Sequence, residues 1–563
     1  MNSPLHENEA IKRFSNYLRG TLKASMADEL TGALADADAQ ITKFHGFYQQ
    51  DDRDQRQARR EHYLEPSFGF MLRARLPGGV CTTTQWLAID GIGRALTAGS
   101  LRLTTRQSFQ YHGILKRNVE SVIRGINKVM IDSIGGCGDV NRNVLCNPNP
   151  VESPVHREVH GWAKRISEHL LPRTRAYHEL WLDGEHVTGT ADAEPLYGET
   201  YLPRKFKTAI AVPPHNDVDV YSNDLGFVAI IENGELLGFN VLAGGGMGMT
   251  HGDASTFPRL ADTLGFIAPE QTLAIAEAVV GIQRDVGDRR DRRHARLKYS
   301  IERMGVEAFR NEVERRAGCR LGPAREVVFT DQGDRYGWVQ GDDERWHLTV
   351  YIENGRLVDR PGASPMRGLR EIARVHQGDF RITPNQNLII AGVPACQQAR
   401  IDALAREHGL LAARHAPLRL NGLSCVALPT CPLAMAEAER YYPDFLSQVE
   451  RLAEKHGIAD QHIVTRITGC PNGCARPYLA ELALVGKAPG RYNLMLGGDG
   501  VGTRLNRLYR ENLDEPALLA EIDRLFGRFA AGRRPGEGFG DFMIRDAVVA
   551  PVINPAEDFH AAN

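Results

Sequence analysis

The stretch Leu101-Arg102-Leu103-Thr104-Thr105-Arg106-Gln107 returns 279 residues later, altered, as Phe380-Arg381-Ile382-Thr383-Pro384-Asn385-Gln386. A second pair follows in the same order. Gly238-Phe239-Asn240-Val241-Leu242-Ala243-Gly244-Gly245 is echoed by Arg491-Tyr492-Asn493-Leu494-Met495-Leu496-Gly497-Gly498, at an offset of 253. Short strands ending in Gly-Gly recur by chance, but two pairs in one order predict a duplicated chain. Each copy reads as a strand-rich unit followed by a mixed helix-and-strand unit ending in a glycine-rich loop, the first over roughly 68–336 and the second over roughly 337–563. The expected fold class is α+β with pseudo-twofold symmetry.

Upstream of the first repeat, Phe68, Phe70, Leu72, Ala74 and Leu76 alternate with Arg73 and Arg75 until Pro77-Gly78-Gly79 ends the strand. One face should pack and the other carry cations. The segment before Pro66 is charged, with Asp51-Asp52-Arg53-Asp54-Gln55-Arg56 at its centre, and reads as an exposed arm or a solvated helix. The 563 residues are 42% hydrophobic and 25% charged, the balance of an ordinary globular protein with a sizeable core. A net charge of −2 supplies no global field for nucleic acid or anionic lipid, so any anion site must be a local cluster. No secretory pattern opens the chain and no run is apolar for long enough to span a bilayer, which predicts a cytoplasmic protein with neither nucleic acid nor membrane as partner.

Such a cluster is visible. Arg102, Thr104, Arg106, Ser108, Gln110 and His112 share one parity, so an extended chain would project them to one side as a polar ladder for anions. In the second copy Arg381, Thr383, Asn385 and Asn387 keep the ladder, but Ile389 and Ala391 turn it apolar; the copies have diverged in use. Further cations stand at Arg142, at Lys205 and Lys207 on one expected strand face, and at Arg292, Arg296 and Lys298. Taken singly, such residues are usually solvated surface charges.

Four of the nine cysteines fall within fifty residues, as Cys425-x5-Cys431 and Cys470-x3-Cys474. Iron–sulfur clusters are held by four thiolates, and Pro432 and Pro471 each follow a cysteine in turn-forming context. Pro471-Asn472-Gly473 lets the chain double back so that Cys470 and Cys474 face one centre. A buried inert thiol is the ordinary reading of one cysteine, less so of four together. Structural zinc is the rival, although its spacers within a pair are usually two to four residues. A zinc-stabilised nucleic-acid-binding protein is therefore the alternative from another class. Covalent haem would need C-x-x-C-H, which is absent, so any tetrapyrrole is held noncovalently. The loop Gly244-Gly245-Gly246-Met247-Gly248 misses the dinucleotide pattern at Met249, leaving a structural loop or one that offers amides to a cofactor carboxylate.

Cys425-Val-Ala-Leu-Pro-Thr-Cys431-Pro-Leu-Ala-Met-Ala-Glu-Ala-Glu-Arg440 with Thr468-Gly-Cys470-Pro-Asn-Gly-Cys474 closely resembles the siroheme and [4Fe–4S] signature of the sulfite and nitrite reductases. The likeness runs through almost the whole chain, including Ser15–Gly20, Phe44–Gln50, Gly113–Lys116 and Gly536–Phe542, and is greatest to haem subunits of NADPH-dependent enzymes. It implies paired ferredoxin-like half domains at 67–135 plus 337–411, mixed α/β sulfite-reductase domains at 136–336 and 412–563, and a partner-binding arm over 1–66. It also implies that Cys425, Cys431, Cys470 and Cys474 hold the cluster, with Cys474 shared with the siroheme iron. Arg73, Arg142, Lys205 and Lys207 match the family's oxyanion-binding cations. Arg102, Thr104, Arg106, Gln110, His112, Arg296, Lys298 and Asn472 are the expected cofactor contacts.

The implied reaction is six-electron reduction of sulfite to sulfide in sulfate assimilation and cysteine biosynthesis. The implied partner is an NADPH-oxidising flavoprotein subunit carrying FAD and FMN, with a ferredoxin-dependent sulfite or nitrite reductase as the alternative. Nitrite enzymes tend to carry Asn where this chain has Lys207, which favours sulfite. Thr105 and Ala475-Arg476-Pro477 depart from the enteric pattern in ways that leave the cofactor set unchanged. Siroheme's eight carboxylates demand many charge-assisted hydrogen bonds, which a basic pocket in a neutral protein provides.

Overall fold

The structure is a computed structural model and describes residues 4–149, 152–174, 181–182, 185–186, 194–411 and 415–561. The duplication is visible in the sheets. Strands Leu145–Cys146, Thr208–Ala211 and Leu225–Glu232 run parallel, then Glu235–Ala243 and Asp262–Ile267 add antiparallel. Strands Gly422–Ser424, Thr465–Thr468, Leu482–Ala488, Arg491–Leu496 and Arg507–Leu513 repeat that order and those directions.

The half-domain sheets are antiparallel and trade their last strands. Leu101–Leu103, in the first copy, pairs with Arg356–Leu357 from the second. Asp379–Ile382, in the second, pairs with Val80–Thr82 from the first. Both sheets therefore close over one core, in which Trp86 meets Phe109 edge-on (5.5 Å) and Phe380 of the other copy at a tilt (4.7 Å). Each fully buried ring of this kind contributes on the order of 2–3 kcal/mol. The symmetry extends to single bonds. Gln107 and Gln386 both have positive φ, and their side-chain oxygens accept from Cys146 N (2.9 Å) and Ser424 N (3.3 Å). Gly79 and Gly355 face them: a Cβ on either would lie 2.4 Å from Ile382 O or 2.2 Å from Leu103 O, so only glycine permits the strand exchange.

Two expectations need correcting. The polar ladder is not one extended strand; Leu101–Leu103 and Phe109–Ile114 form a hairpin around Thr104–Ser108. Arg102 and Gln110 still share a face because they are cross-strand partners, whereas Ser108 turns inward and donates to Ala74 O. The segment before Pro66 is not an exposed arm in its described part. Phe47–Asp51 is the edge strand beside Phe68–Arg73, and Leu18, Ile41, Phe44 and Phe47 are buried. Glu9, 3% exposed, meets Lys12 one turn on and Arg289 over long range, whereas the helix Arg56–Glu61 has no buried residue, as a solvated helix should. The cationic strand is as read, with Phe70, Leu72, Ala74 and Leu76 buried and Arg73 and Arg75 on the other face.

Candidate active site

The two cysteine pairs sit at the carboxyl ends of neighbouring parallel strands. Cys425 follows Gly422–Ser424, and Cys470 lies two residues beyond Thr465–Thr468. Gly469 joins the loops: its N–H donates to Cys425 Sγ (3.3 Å), and its carbonyl accepts from Met435 N (2.8 Å) and Ala436 N (3.1 Å). A Cβ at 469 would meet Ala427 Cβ and Ala436 O at 2.6 Å, so the approach requires glycine. Asn472 Nδ2 lies 3.5 Å from Cys470 Sγ, giving the expected cofactor residue a role toward sulfur. Burial pushes the Cys425 thiol up to about 12 and Cys431 up to about 11, Cys474 adding to both, so the sulfurs feel one another. Four mutually acting thiols are the donor set that an iron–sulfur cluster takes.

Cys425, Cys431, Cys474 and Asn472 form one end of a cavity of about 360 Å³. Its walls bring together Arg73, Arg102, Thr104, Arg106, Gln110, His112, Arg142 and Lys205, all named from sequence. Nine Lys and Arg side chains line the cavity against one carboxylate, Asp139. Burial would raise Asp139, but Arg292 and Lys12 outweigh it and hold the group down to about 2, so Asp139 stays anionic and braces the rim. Arg142 is fixed by Nε to Gly138 O (2.8 Å). Arg73 lies beside it, with Nη1 3.4 Å from Gly136 O and Nε 3.1 Å from the Gln110 oxygen when that amide is turned toward it. Burial and Arg204 bring Lys205 down to about 7; burial, Lys205 and Arg106 push Lys207 well below the lysine range.

His112 gives a test of fit. It is 6% exposed, lines the cavity, and neither ring nitrogen has a hydrogen-bond partner; burial and then Arg356 push it well below the ordinary histidine range. Arg106 Nε is likewise buried and unpartnered. Such groups cost about 1–3 kcal/mol each when left unmet. A polycarboxylate filling the space satisfies them, and the cation excess offsets its charge. Thiols, cations and orphan donors together fit a tetrapyrrole carboxylate shell beside an iron–sulfur cluster.

Four expected residues lie off the cavity lining: Cys470, Lys207, Arg296 and Lys298. Lys207 stands behind it, its N–H on Asp224 Oδ2 (2.8 Å). Arg296 forms a two-pronged pair with Asp224 (2.9 and 2.7 Å). Lys298 donates to the carbonyls of Gly246, Gly248 (2.9 Å) and Phe257. Both brace the glycine loop. That loop's amides are engaged too: Gly244 N and Gly245 N donate to Asp224 O and Asn223 O, and Met249 N to Pro471 O (3.1 Å). Its task is to back the Cys470–Cys474 turn. Lys205 and Lys207 flank Phe206 in a loop before Thr208–Ala211 rather than within a strand, because Phe206 bridges to Asn141 there. Lys12, Lys43, Phe44 and Tyr48 also line the cavity and were not named as site residues; the resemblance through Phe44–Gln50 was a signal for Phe44 and Tyr48, and nothing pointed to Lys12 or Lys43.

Comparison with known proteins follows the same lines. Residues 161–321 match the nitrite and sulphite reductase 4Fe-4S domain, and residues 65–129 and 338–408 match the nitrite/sulfite reductase ferredoxin-like half domain. The sulfite reductase [NADPH] hemoprotein beta-component of Thiocapsa roseopersicina is 74% identical over 560 residues, covering 100% of both chains. That of Shewanella loihica is 60% identical over 559 residues, 99% of each. Mycobacterium tuberculosis NirA shares the fold, with a TM-score of 0.77 at 24% identity over 96% of each chain. By full-length identity to its hemoprotein beta-components, the chain belongs to the nitrite and sulfite reductase 4Fe-4S family.

Proposed function

We propose that the chain reduces sulfite to sulfide at a siroheme coupled to a [4Fe–4S] cluster. Cys425, Cys431, Cys470 and Cys474 would hold the cluster, and Cys474 would also be shared with the haem iron. The observation that carries this reading is a cation-lined cavity ending on Cys425, Cys431 and Cys474, with Cys470 joined to it through Asn472. Sulfite takes six electrons and six protons to give sulfide and three waters. The coupled cofactors, when bound, supply stored electrons and an open iron position.

The chain supplies the rest. Arg73 and Arg142, fixed by carbonyls of the Gly136–Gly138 turn, hold the substrate oxygens and orient sulfur inward. Lys205 carries a proton on Nζ with a pKa near neutrality, so it can release one as an S–O bond breaks and regain it from water. Lys207, lowered by burial and by Lys205 and Arg106, is the second proton donor of the proposal. Arg102, Arg106, Gln110 and His112 bind cofactor carboxylates and exclude water from that wall. Arg296 and Lys298 act by holding the glycine loop behind Asn472.

Electrons arrive from an NADPH-oxidising flavoprotein subunit in the cytoplasm, in sulfate assimilation and cysteine biosynthesis. Among the described residues no helix is long and apolar enough to cross a membrane. The segment over 1–66 is the expected docking region. The purified protein should show haem-type absorption, iron and acid-labile sulfide, and should oxidise a reduced dye when sulfite is added. A colourless protein with zinc alone would sink the reading. NADPH should drive turnover only after the flavoprotein is added; turnover with reduced ferredoxin alone would reassign the donor.

A further inference from the structure

Arg476 stands two residues beyond Cys474 and is 4% exposed. Its backbone is left-handed, at φ 54° and ψ 47°, and it caps the short turn Pro477–Leu479. Asp219 does the same 257 residues earlier, at φ 46° and ψ 59°, ahead of the turn Val220–Ser222. The strands that follow, Leu225–Glu232 and Leu482–Ala488, start at that same offset. Asp219 and Arg476 are therefore pseudo-twofold mates, one acid and one base. They pair with each other, Arg476 Nε donating to Asp219 Oδ2.

The other guanidinium nitrogens complete the pattern. Nη1 donates to Thr105 O (3.1 Å) and Nη2 to Pro384 O (3.2 Å). Thr105 and Pro384 are themselves equivalent, 279 residues apart in the turns of the two repeated stretches. A side chain that binds its own mate and spans two equivalent carbonyls sits on the pseudo-twofold axis. One further bond closes a ring: Thr105 Oγ1 donates to Cys474 O at 3.3 Å. The axis thus runs through contacts that tie the Cys474 turn to the turn carrying Thr104 and Arg106, both on the cavity wall.

We propose that Arg476, acting with Asp219 and Thr105, is a positioning residue that sets where Cys474 stands relative to the haem-binding wall. The inference rests on the reading of Cys474 as the ligand shared by cluster and haem. Only arginine meets the geometry, because one rigid planar fork reaches a carboxylate and two carbonyls in fixed directions, while lysine offers a single point of charge. Arg476 and Asp219 lie off the cavity lining and Thr105 is on it beside Cys474, so the expected effect is on the link between the cofactors and not on sulfite binding.

The test uses the cofactor-loaded enzyme as wild type, Arg476→Lys, Thr105→Val and Thr105→Ser. Magnetic coupling between haem and cluster in the wild type tests the reading of Cys474 by itself; its absence sinks that reading whatever Arg476 does. Given coupling, Arg476→Lys should keep full iron and haem content yet show a weakened coupling signature. Its kcat should fall by about tenfold to a hundredfold, the scale of a displacement of roughly 1 Å, with the KM for sulfite within about twofold. Thr105→Val should shift both in the same direction by less, and Thr105→Ser should restore them. Wild-type coupling and kcat in the Lys and Val variants would overturn the proposal, as would a loss confined to thermal stability. If Arg476→Lys fails to fold, the Thr105 pair decides: a deficit in Val repaired by Ser supports the proposal, and a Val variant matching wild type overturns it.

Discussion

The cavity around Arg73, Thr104 and Gln110 has a mate in the other copy, around Thr349, Thr383 and Ile389. The first has a cavity volume of about 360 Å³ and the second about 40 Å³. Where the first has Cys425, the second has Asn147. Where the first gathers cations, the second is lined by Asp217 and Asp334, with Arg335 as its one Lys or Arg among the described residues. Arg381, the counterpart of Arg102, donates to Asn149 Oδ1 at 2.7 Å. Burial, with Asp334 beside it, raises Asp217 to about 8. Duplication made two clefts; charge and side-chain volume decided that one opens to a large anion while the other closes on its own polar groups.

The contrast is broken most completely at the thiols. Cys470→Ser should abolish the cluster and with it the haem absorption, leaving sulfite turnover at background; iron and acid-labile sulfide assays check it, and retained cluster would remove that residue from the ligand set. Next in size is the cation clamp. Arg142→Gln should lower kcat/KM for sulfite by about a hundredfold to a thousandfold with the visible spectrum intact. Lys207→Met should also keep the spectrum while turnover drops strongly, and unchanged turnover would exclude that lysine as a needed acid.

A smaller effect concerns pH. Lys205 loses its proton near 7, and an anion binds the protonated form, so sulfite affinity should weaken by up to about tenfold per pH unit above that point. Lys205→Arg, which stays charged, should flatten that slope relative to wild type; parallel slopes would assign the dependence to sulfite itself. The smallest effect belongs to the closed cleft. Unfolded Asp titrates near 3.9 but Asp217 near 8, so the folded state binds the extra proton and wild-type stability falls as pH rises between those values. Asp217→Asn should melt higher than wild type at pH 8, with the gap shrinking toward pH 4.

Much of this was legible in residues. Thr104 and Thr383, or Gly244 and Gly497, announce the duplication because backbone turns constrain sequence locally. Cys425, Cys431, Cys470 and Cys474 announce the cluster because ligand chemistry leaves few substitutes. The hairpin at Thr104–Ser108 was missed because Gln107 takes a left-handed conformation without glycine, held by Gly78 O and Ile382 O, the latter from the other copy. Lys12 and Lys43 lie in the segment expected to be an exposed arm or a solvated helix, and the groups that surround them, Asp139, Arg292 and Arg204, come from far along the chain. Arg296 and Lys298 were matched to the cofactor by type, whereas their partners in the structure, Asp224 and the glycine-loop carbonyls, cannot be read from spacing.

The traded strands set an order of events on the ribosome. Leu101–Leu103 waits for Arg356–Leu357, about 250 residues behind it, which at ~5–20 residues per second is roughly 13–50 s of synthesis. During that interval the nascent half sheet has an open edge and a half-built hydrophobic interior, and the thiols at 425 to 474 do not yet exist. Cofactor insertion is thereby deferred until translation is nearly complete, and neither half of the gene can encode a sheet that closes alone.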